Sequence, residues 1–229
     1  MIKVEHIDVY GFEGAVRGMR NPLNSWHLSD SYWTHIEDTD TLETANYQYF
    51  VGEKDLDLMK RLYKAGNEHR KYARQIYVSM DITAPFYWWK EFDTYRIGVT
   101  ENSCSTMHKI HAKEFTFDDF SCEHLDDGSM LRLKDTIYCL NANRTKFNEA
   151  QTKPMKEEAK RSEVMKHHWW QMIQLLPMCY NQKRTVTMNY ENVFAMIKQR
   201  SGHKLDEWRE FVEILKDLPY VKEIMGDEQ

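Results

Sequence analysis

The sequence predicts an α+β fold in a single domain, and three observations support this prediction. Some segments have the alternation typical of half-buried strands, and these lie at 2–10, 75–83 and 183–189. Other segments have apolar residues three and four apart, as in amphipathic helices, and these lie at 55–65, 157–176, 191–200 and 205–216. There is no internal repeat, no low-complexity run and no convincing linker, so one domain is favoured.

The composition is that of a folded protein with a packed core. Of the 229 residues, 41% are apolar, which argues against global disorder. The formal net charge is −5, from 36 acidic and 31 basic residues. This balance argues against a general nucleic-acid surface, because such a surface carries a basic field. A local basic pocket for one nucleotide is compatible with it.

The four cysteines, Cys104, Cys122, Cys139 and Cys179, lie far apart and form no CxxC pair. The first residues lack the charged segment and apolar run of a signal peptide. No window approaches the roughly 18–20 apolar residues of a membrane span. We therefore expect free thiols and a cytoplasmic protein with no membrane partner.

In the N-terminal half, strands and helices are predicted to alternate. The strand at 2–10 ends at glycines, and 18–24 is expected to form a loop or the entry to a helix. The next helix is expected to end at Gly66, because glycine commonly follows a helix C-terminus. After the strand at 75–83, Pro85 is expected to open a helix over FYWWKEF, since proline is tolerated in a first turn.

The C-terminal half is predicted to be mainly helical. Residues 112–135 are acidic and irregular, and 141–158 are polar, so the latter are expected to form an exposed connection. The longest helix is predicted at 157–176, and Pro177 is expected to stop it. One strand and two shorter helices are predicted after it.

One group of side chains has the residue types of a zinc site: Cys104, His108, His111, Cys122 and His124. Their order and spacing match no common zinc pattern, and neighbouring carboxylates would make the site a mixed one. We therefore expect no bound metal. The sequence also contains no GxSxG, P-loop or GxGxxG motif.

Three blocks of the sequence resemble the flavin-dependent thymidylate synthases, and they occur in the family's order. The first block, 56–96, contains GNEH at 66–69, a strand, and APFYWW at 84–89. The second is Leu-Pro at 176–177, after a long helix. The third is TMN at 187–189, followed by a helix that ends in an arginine. Together the blocks cover most of the chain.

This resemblance implies a central, mostly antiparallel sheet packed with helices. It implies an enzyme that methylates carbon 5 of dUMP, or of a related pyrimidine nucleotide, with FAD as cofactor. A folate would supply the one-carbon unit and NADPH the electrons. Members of the family are typically homotetramers whose active sites are built from several subunits, so a homotetramer is expected. Because the flavin carries the hydride chemistry, the scattered cysteines do not count against this reading.

The resemblance also assigns residues to roles. It places in the cofactor site His69, Arg96, Ile97, Asn189 and His203. It places in the substrate site Asn102, Ser105 and Arg200. It gives catalytic roles to Arg200 and Glu91.

Several of these residues have a plain structural alternative. Asn189 suits the N-cap of a helix, and Arg200 is a cation at a helix C-terminus, where it is favourable in any protein. His69 fits an ordinary turn after a helix. Arg96 fits a surface ion pair, and Glu91 an exposed acid on a helix.

The family signature RHRxxSxNxxSxR is degenerate in this chain. Of its first three residues only Arg96 is kept, since Thr94 and Tyr95 occupy the other positions. Two further family arginines are replaced, by Ile173 and Glu191. A charge-assisted contact to a phosphate is typically worth about 1.5–3 kcal/mol. Losing two or three would raise a micromolar dissociation constant beyond a millimolar one.

Three hypotheses therefore stay open. The first is a divergent enzyme of this family, in which other basic residues replace the lost arginines; the candidates are Arg17, Arg20, Arg70, Arg74 and Lys90. The second is a protein that keeps the fold as a binding or structural module and has lost the reaction. The third is an unrelated α+β protein whose matching patches are coincidental.

Overall fold

The computed structural model describes residues 1–36, 46–152 and 158–226. Its strands are β1 Lys3–Tyr10, β2 Tyr32–Ile36, β3 Asn46–Phe50, β4 Tyr77–Pro85, β5 Val99–Ser103 and β6 Asn181–Asn189. Its helices are α1 Phe12–Arg20, α2 Glu53–Lys64, α3 Phe86–Phe92, α4 Thr106–Lys109, α5 Asp127–Thr152, α6 Glu158–Leu175, α7 Tyr190–Arg200, α8 Asp206–Lys216 and α9 Val221–Met225. Within the described ranges, no helix is both long and apolar enough to cross a membrane.

Four strands lie side by side in the order β1, β4, β6, β5, and β2 and β3 form a separate antiparallel pair. The predicted α+β class, with an antiparallel sheet packed with helices, is confirmed. The three predicted strands are present as β1, β4 and β6. Gly66 has a φ of 102° directly after the end of α2, as predicted for a residue that follows a helix C-terminus.

The described residues cluster into two compact units. Unit 1 contains Met1–Val4, Ile82–Thr94 and Asn102–Thr185. Unit 2 contains Glu5–Asp81, Tyr95–Glu101 and Val186–Gln229. That the whole chain forms a single domain remains a prediction.

Unit 1 is built around two long helices. Buried residues of α5 recur on one face of the helix, where Leu133, Ile137, Leu140 and Phe147 pack in a cluster with Met172 of α6. Residues 141–152 therefore belong to α5, a helix that buries Phe147 and Ala150 in this part, and the prediction of an exposed connection over 141–158 is wrong for 141–152. The many asparagines and threonines of this segment obscure its helical apolar pattern, which Phe147 continues. Pro154 lies outside the described residues.

The aromatic helix α3 fixes a second part of unit 1. Trp88, Trp89 and Phe92 are fully buried, and the Trp89 ring nitrogen donates to the Gln182 carbonyl at 3.0 Å. The Arg184 guanidinium lies 4.1 Å from the Trp89 ring centroid and pairs with Asp93 at 2.6 Å. As predicted, this helix begins directly after Pro85, which is its N-cap.

In the described part of unit 2, the helices α1, α2, α7, α8 and α9 pack around a core of large side chains. Trp208 and Phe211 of α8 and Phe194 of α7 are completely buried, and Tyr63 of α2 meets Phe194 edge to face at 5.0 Å. The helix α1 begins after Gly11, whose φ is 99°. A Cβ at Gly11 would lie 2.2 Å from the Gln75 carbonyl oxygen, so only glycine permits this approach.

A buried carboxylate ties three segments of unit 2 together. Asp55, on α2, is fully buried and pairs with Arg20 of α1, which is itself 4% exposed. The hydroxyls of Ser29 and Ser31 each donate to Asp55 at 2.7 Å. Burial alone would raise the pKa of Asp55, but these hydroxyls and the guanidinium outweigh it and lower the pKa below its ordinary value.

The substitution Asp55→Asn should destabilise unit 2 by about 3–5 kcal/mol, because it leaves the Arg20 charge buried without a counter-ion. The matched control is Asp57→Asn, which removes an exposed ion pair with Arg61 and should cost less than about 1 kcal/mol. Urea unfolding of both variants measures the difference. Equal losses in the two variants would contradict the role of Asp55.

The same carboxylate predicts a pH dependence. Because its folded pKa is lowered, its stabilisation is complete above the unfolded value of about 3.9 and is lost as the pH falls below it. The wild type should therefore lose more stability than Asp55→Asn over that acid range.

Candidate functional site

In unit 2, His69 lines a cavity of about 580 Å³, which we call the His69 cavity. Its other polar lining residues are Asn21, Glu68, Lys71, Tyr72 and Gln75. His69 lies in the turn after α2 and is exposed, and Gly18 allows the Gln75 side chain to approach α1 closely. Burial raises the pKa of Tyr72, so this phenol stays neutral and donates to the Met59 carbonyl at 2.9 Å. Its remaining lining residues are Gly18, Met19, Pro22, Leu23 and Leu62, so the cavity has a mixed lining of charged, hydrogen-bonding and apolar groups.

The residue after His69 forms an ion pair that the sequence did not reveal. The Arg70 guanidinium binds Glu191 of α7 in a bidentate manner, with Nη2–Oε1 at 2.7 Å and Nε–Oε2 at 2.9 Å. Both side chains are largely buried, at 11% and 20% exposure. The resemblance sets Glu191 against a family arginine, and in this protein its carboxylate is neutralised by Arg70 within unit 2.

Of the proposed replacements for the lost arginines, two are already engaged. Arg20 is bound to Asp55, and Arg70 to Glu191. Neither guanidinium can bind a phosphate without breaking a buried or half-buried ion pair, which would leave a carboxylate uncompensated. The structure therefore argues against both as replacements.

Asn189 ends β6 and caps α7. Its side-chain oxygen accepts from the Asn192 amide at 3.1 Å, so the N-cap alternative is confirmed. The Asn192 side chain in turn donates to the Ile97 carbonyl at 3.0 Å. Gly98 has a φ of 76°, and a Cβ there would lie 2.4 Å from the side-chain Nδ2 of Asn189. Ile97 and Asn189, both assigned to the cofactor site, thus lie together, and Ile97 is 90% exposed.

A second group of predicted residues lies at the end of α7. The Arg200 guanidinium lies 4.6 Å from the Trp208 ring centroid, and its Nε donates to the Tyr95 hydroxyl at 3.0 Å. The His203 ring is 6.2 Å from that of Trp208, and its Nδ1 accepts from the Leu205 amide. Arg200 and His203 are therefore close, and Tyr95, which the resemblance sets against the histidine of the family signature, holds the Arg200 side chain.

Three further assigned residues are Arg96, Glu91 and Asn102. Arg96 is exposed in the turn before β5, in unit 2. Glu91 is half-buried on α3 in unit 1, where its carbonyl accepts from the Thr94 hydroxyl at 2.7 Å. Asn102 is exposed in β5.

In unit 1, Ser105 lines a cavity of about 260 Å³, which we call the Ser105 cavity. Ser105 is the N-cap of α4, where its hydroxyl accepts from the His108 amide at 3.2 Å. The wall beside it is held by the Cys104 amide, which donates to the Lys183 carbonyl at 2.9 Å. Burial raises the pKa of Tyr180 to about 12, so its ring lines the cavity as a neutral phenol.

Three lysines line the Ser105 cavity: Lys109, Lys113 and Lys183. Asp119 is its one acidic lining residue among those described, and it accepts from Lys113 at 2.7 Å. Ammonium groups bind phosphates as point charges. The sequence resemblance did not predict these lysines, because the phosphate contacts that it implies are arginines at family positions. The available signal was the pair Lys109 and Lys113, four residues apart directly after Ser105.

The cysteines and histidines considered for zinc do not form a site in the described part of the chain, where no three potential ligands converge. His111 instead lies against the Phe147 ring, with centroids 4.4 Å apart. Burial and the charge of Lys109 lower the pKa of His111, so its imidazole is neutral near pH 7.

A double-mutant cycle on Arg70→Met and Glu191→Gln should give a coupling energy of about 1.5–3 kcal/mol, because the bidentate pair is largely shielded from water. The control cycle uses Arg132 and Asp135, an exposed pair at 3.4 Å, and should give less than about 0.5 kcal/mol. Denaturant unfolding measures both. A coupling as small as the control's would refute the closed ion pair.

No protein-family model matches the chain, and neither does any curated protein sequence. Solved structures do match. One is thymidylate synthase X from Helicobacter pylori with FAD and dUMP, at 16% identity and a TM-score of 0.61, over 99% of this chain and 98% of that chain. Another is the flavin-dependent thymidylate synthase from Helicobacter pylori complexed with FAD and dUMP, at 17% identity and a TM-score of 0.61, over 98% of both chains. The hypothesis of an unrelated fold is wrong: the chain has the fold of the flavin-dependent thymidylate synthases.

Proposed function

We propose that this protein binds FAD and a pyrimidine nucleotide and acts as a divergent flavin-dependent thymidylate synthase. Its substrate would be dUMP or a related nucleotide, methylated at carbon 5 with a folate donor and NADPH as reductant. The observation that carries the proposal is the whole-length fold match to enzymes solved with FAD and dUMP. Because fold alone does not fix function, the residues must support it as well.

Unit 2 offers groups that suit the neutral parts of FAD. His69, Asn21 and Gln75 line one cavity and can hydrogen-bond a ribose or a base. The exposed Ile97 lies beside Asn189, the N-cap of α7, and in the proposal both residues contact the flavin. When bound, the flavin supplies the hydride chemistry, and the task of these residues is to bind and orient it.

The diphosphate of FAD is the part that unit 2 suits least. Arg20 and Arg70 are already bound to carboxylates, and Arg200 lies against Trp208. Arg96, the remaining assigned arginine, is exposed on unit 2. We therefore expect weaker binding of the diphosphate than a full set of arginines would give.

The Ser105 cavity supplies cations for the nucleotide. In the proposal, Ser105 and Lys109 hold the phosphate, with Lys113 shared between it and Asp119. The nearby Asn102 is assigned to the same substrate. Arg200 and Glu91 keep their catalytic assignment from the resemblance. Three lysines in this cavity would offset part of the charge lost with Thr94, Ile173 and Glu191.

The proposal extends to assembly: the whole chain acts as one domain in a cytoplasmic homotetramer. In the family, active sites are built from several subunits, so residues of different copies would complete each site. Sedimentation or light scattering of the purified protein would test the assembly.

A second candidate, a binding or structural module that has lost the reaction, is favoured by one observation. The resemblance sets Glu191 against a family arginine. Here the position is a carboxylate paired with Arg70, so it cannot bind an anion. This reading predicts an intact oligomer without dUMP-dependent oxidation of the flavin. Rescue of a thymidine auxotroph by the gene would end it.

The first test is the absorbance spectrum of the purified protein, followed by titration with FAD. We expect a flavin band, or FAD binding after titration, and a loss of affinity of about fivefold in His69→Ala, the size of one neutral hydrogen bond. The control is His27→Ala, an exposed histidine of the same unit that does not line the cavity. A colourless protein without affinity for added FAD would refute the proposed function.

The second test addresses the nucleotide. Lys109→Gln should weaken dUMP binding about tenfold and reduce its salt dependence, because one ammonium–phosphate contact is lost. Lys134→Gln, an exposed lysine of α5 outside the cavity, should leave binding unchanged. Calorimetric titrations at low and high salt measure both. Unchanged affinity in Lys109→Gln would remove the Ser105 cavity from the proposal.

A further inference from the structure

A groove in unit 2 is lined mainly by aromatic rings, and we call it the aromatic groove. Its volume is about 340 Å³. The rings come from the end of β1 and start of α1, from both strands of the β2–β3 pair, and from the residue before α9: Tyr10, Phe12, Trp33, Tyr47, Tyr49 and Tyr220. No residue used in the proposed function lines this groove, so its ligand is a separate question.

The rings are held in fixed orientations by one another. Trp33 meets Tyr49 across the β2–β3 pair with centroids 5.3 Å apart and an interplanar angle of 64°. Phe12 meets Tyr220 at 5.3 Å and 77°. These are edge-to-face contacts, which are favourable and restrict both rings. The groove is thus organised before any ligand enters it.

The backbone at Tyr220 is strained in a way that serves the groove. Its φ is 62°, in the left-handed region that bulky side chains rarely adopt. The conformation is held because the Tyr220 hydroxyl accepts from the Val51 amide at 3.1 Å. Strain of this kind is concentrated at functional and ligand-binding sites. Here it sets the position of one wall of the groove.

Several of the rings are open to solvent, unlike those of the core. Tyr10 is 50% exposed, Trp33 53% and Tyr47 64%. These rings are therefore partly accessible to a ligand, although one face of Tyr10 stacks on Tyr77 at 5.8 Å. An accessible ring face carries partial negative charge and attracts cations.

The charged lining of the groove is negative, like the ring faces. Glu13 is the only charged side chain among the described residues that line it. Burial raises the pKa of Tyr49, the Glu13 carboxylate adds to this effect, and the Arg17 guanidinium opposes it. Both charges therefore act at the groove, but Arg17 does not line it. The lining itself combines π faces with one carboxylate.

We propose that the aromatic groove binds a small organic cation of the methylated or quaternary ammonium class. Such a cation gains from several ring faces at once and from a carboxylate, while its methyl groups match the apolar lining. A neutral ligand of equal shape would have only the apolar contact. This difference between charge and shape is what the experiment measures.

The probe is choline, and its neutral isostere 3,3-dimethylbutan-1-ol is the matched control. Titration is followed by NMR of the ligand methyl groups, whose signals move upfield when they lie against ring faces. We expect choline to bind about tenfold more tightly than the alcohol, the effect of a cation over desolvated rings. Equal affinity for the two probes would overturn the proposal.

Variants locate the binding. Trp33→Leu should weaken choline binding about tenfold, and Trp26→Leu should not, since Trp26 has the same exposure, at 52%, but lies outside the groove. Glu13→Gln should weaken binding, and Arg17→Gln should strengthen it. If Trp33→Leu fails to fold, Tyr47→Leu replaces it. Binding unaffected by any groove variant would refute the assignment.

Two further probes separate other occupants. A trimethyllysine peptide that bound far more tightly than choline would show that the occupant is a protein side chain, and the small-molecule proposal would fall. Uridine bound in the groove in preference to choline would make it a nucleoside site and would also overturn the proposal. FAD titration of the same samples reports on the proposed function independently.

Discussion

The buried carboxylate of Asp55 is the constraint on which much of unit 2 depends. It accepts hydrogen bonds from the Ser29 and Ser31 hydroxyls and is paired with Arg20. Through these bonds α1, the segment before β2, and the start of α2 are held at one point. The neighbouring Asp30 completes the arrangement, since its carboxylate accepts from the Lys54 and Asp55 amides at the start of α2. The segment that leads into the aromatic β2–β3 pair is therefore anchored by polar contacts.

Other arginines of unit 2 are likewise engaged by groups within the unit. Arg20 is neutralised by Asp55, Arg70 by Glu191, and the Arg200 guanidinium lies on the Trp208 ring. Each of these cations stabilises the unit, and each would have to leave a partner in order to bind an anion. Unit 2 is consequently better suited to neutral or cationic groups. The lysines that could meet a phosphate lie instead around the Ser105 cavity of unit 1.

The sequence predicted those parts of the fold that depend on local pattern. Helices α2, α7 and α8 and strands β1, β4 and β6 have clear periodicity, and the Gly66 and Pro85 positions follow from backbone geometry alone. It failed over 141–152, where asparagines and threonines obscured a stripe that only packing against α6 makes decisive. The pairing of Arg70 with Glu191 could not be predicted, because the two residues are 121 positions apart and meet only in the fold. For the site, the assigned residues Ile97 and Asn189, and Arg200 and His203, do lie together, but nothing local indicated the lysines.

The carboxylate of Glu191 limits which residues can stand at its position. A carboxylate at a position only 20% exposed needs a partner, and Arg70 supplies one with two hydrogen bonds. An arginine at position 191 alone would place two guanidiniums within about 4 Å, where like charges repel by several kcal/mol at the effective dielectric of a protein surface. Residues 70 and 191 therefore constrain each other. The Arg70–Glu191 pair is part of the packing of unit 2, so an anion that the protein binds has to be met by cations other than Arg70.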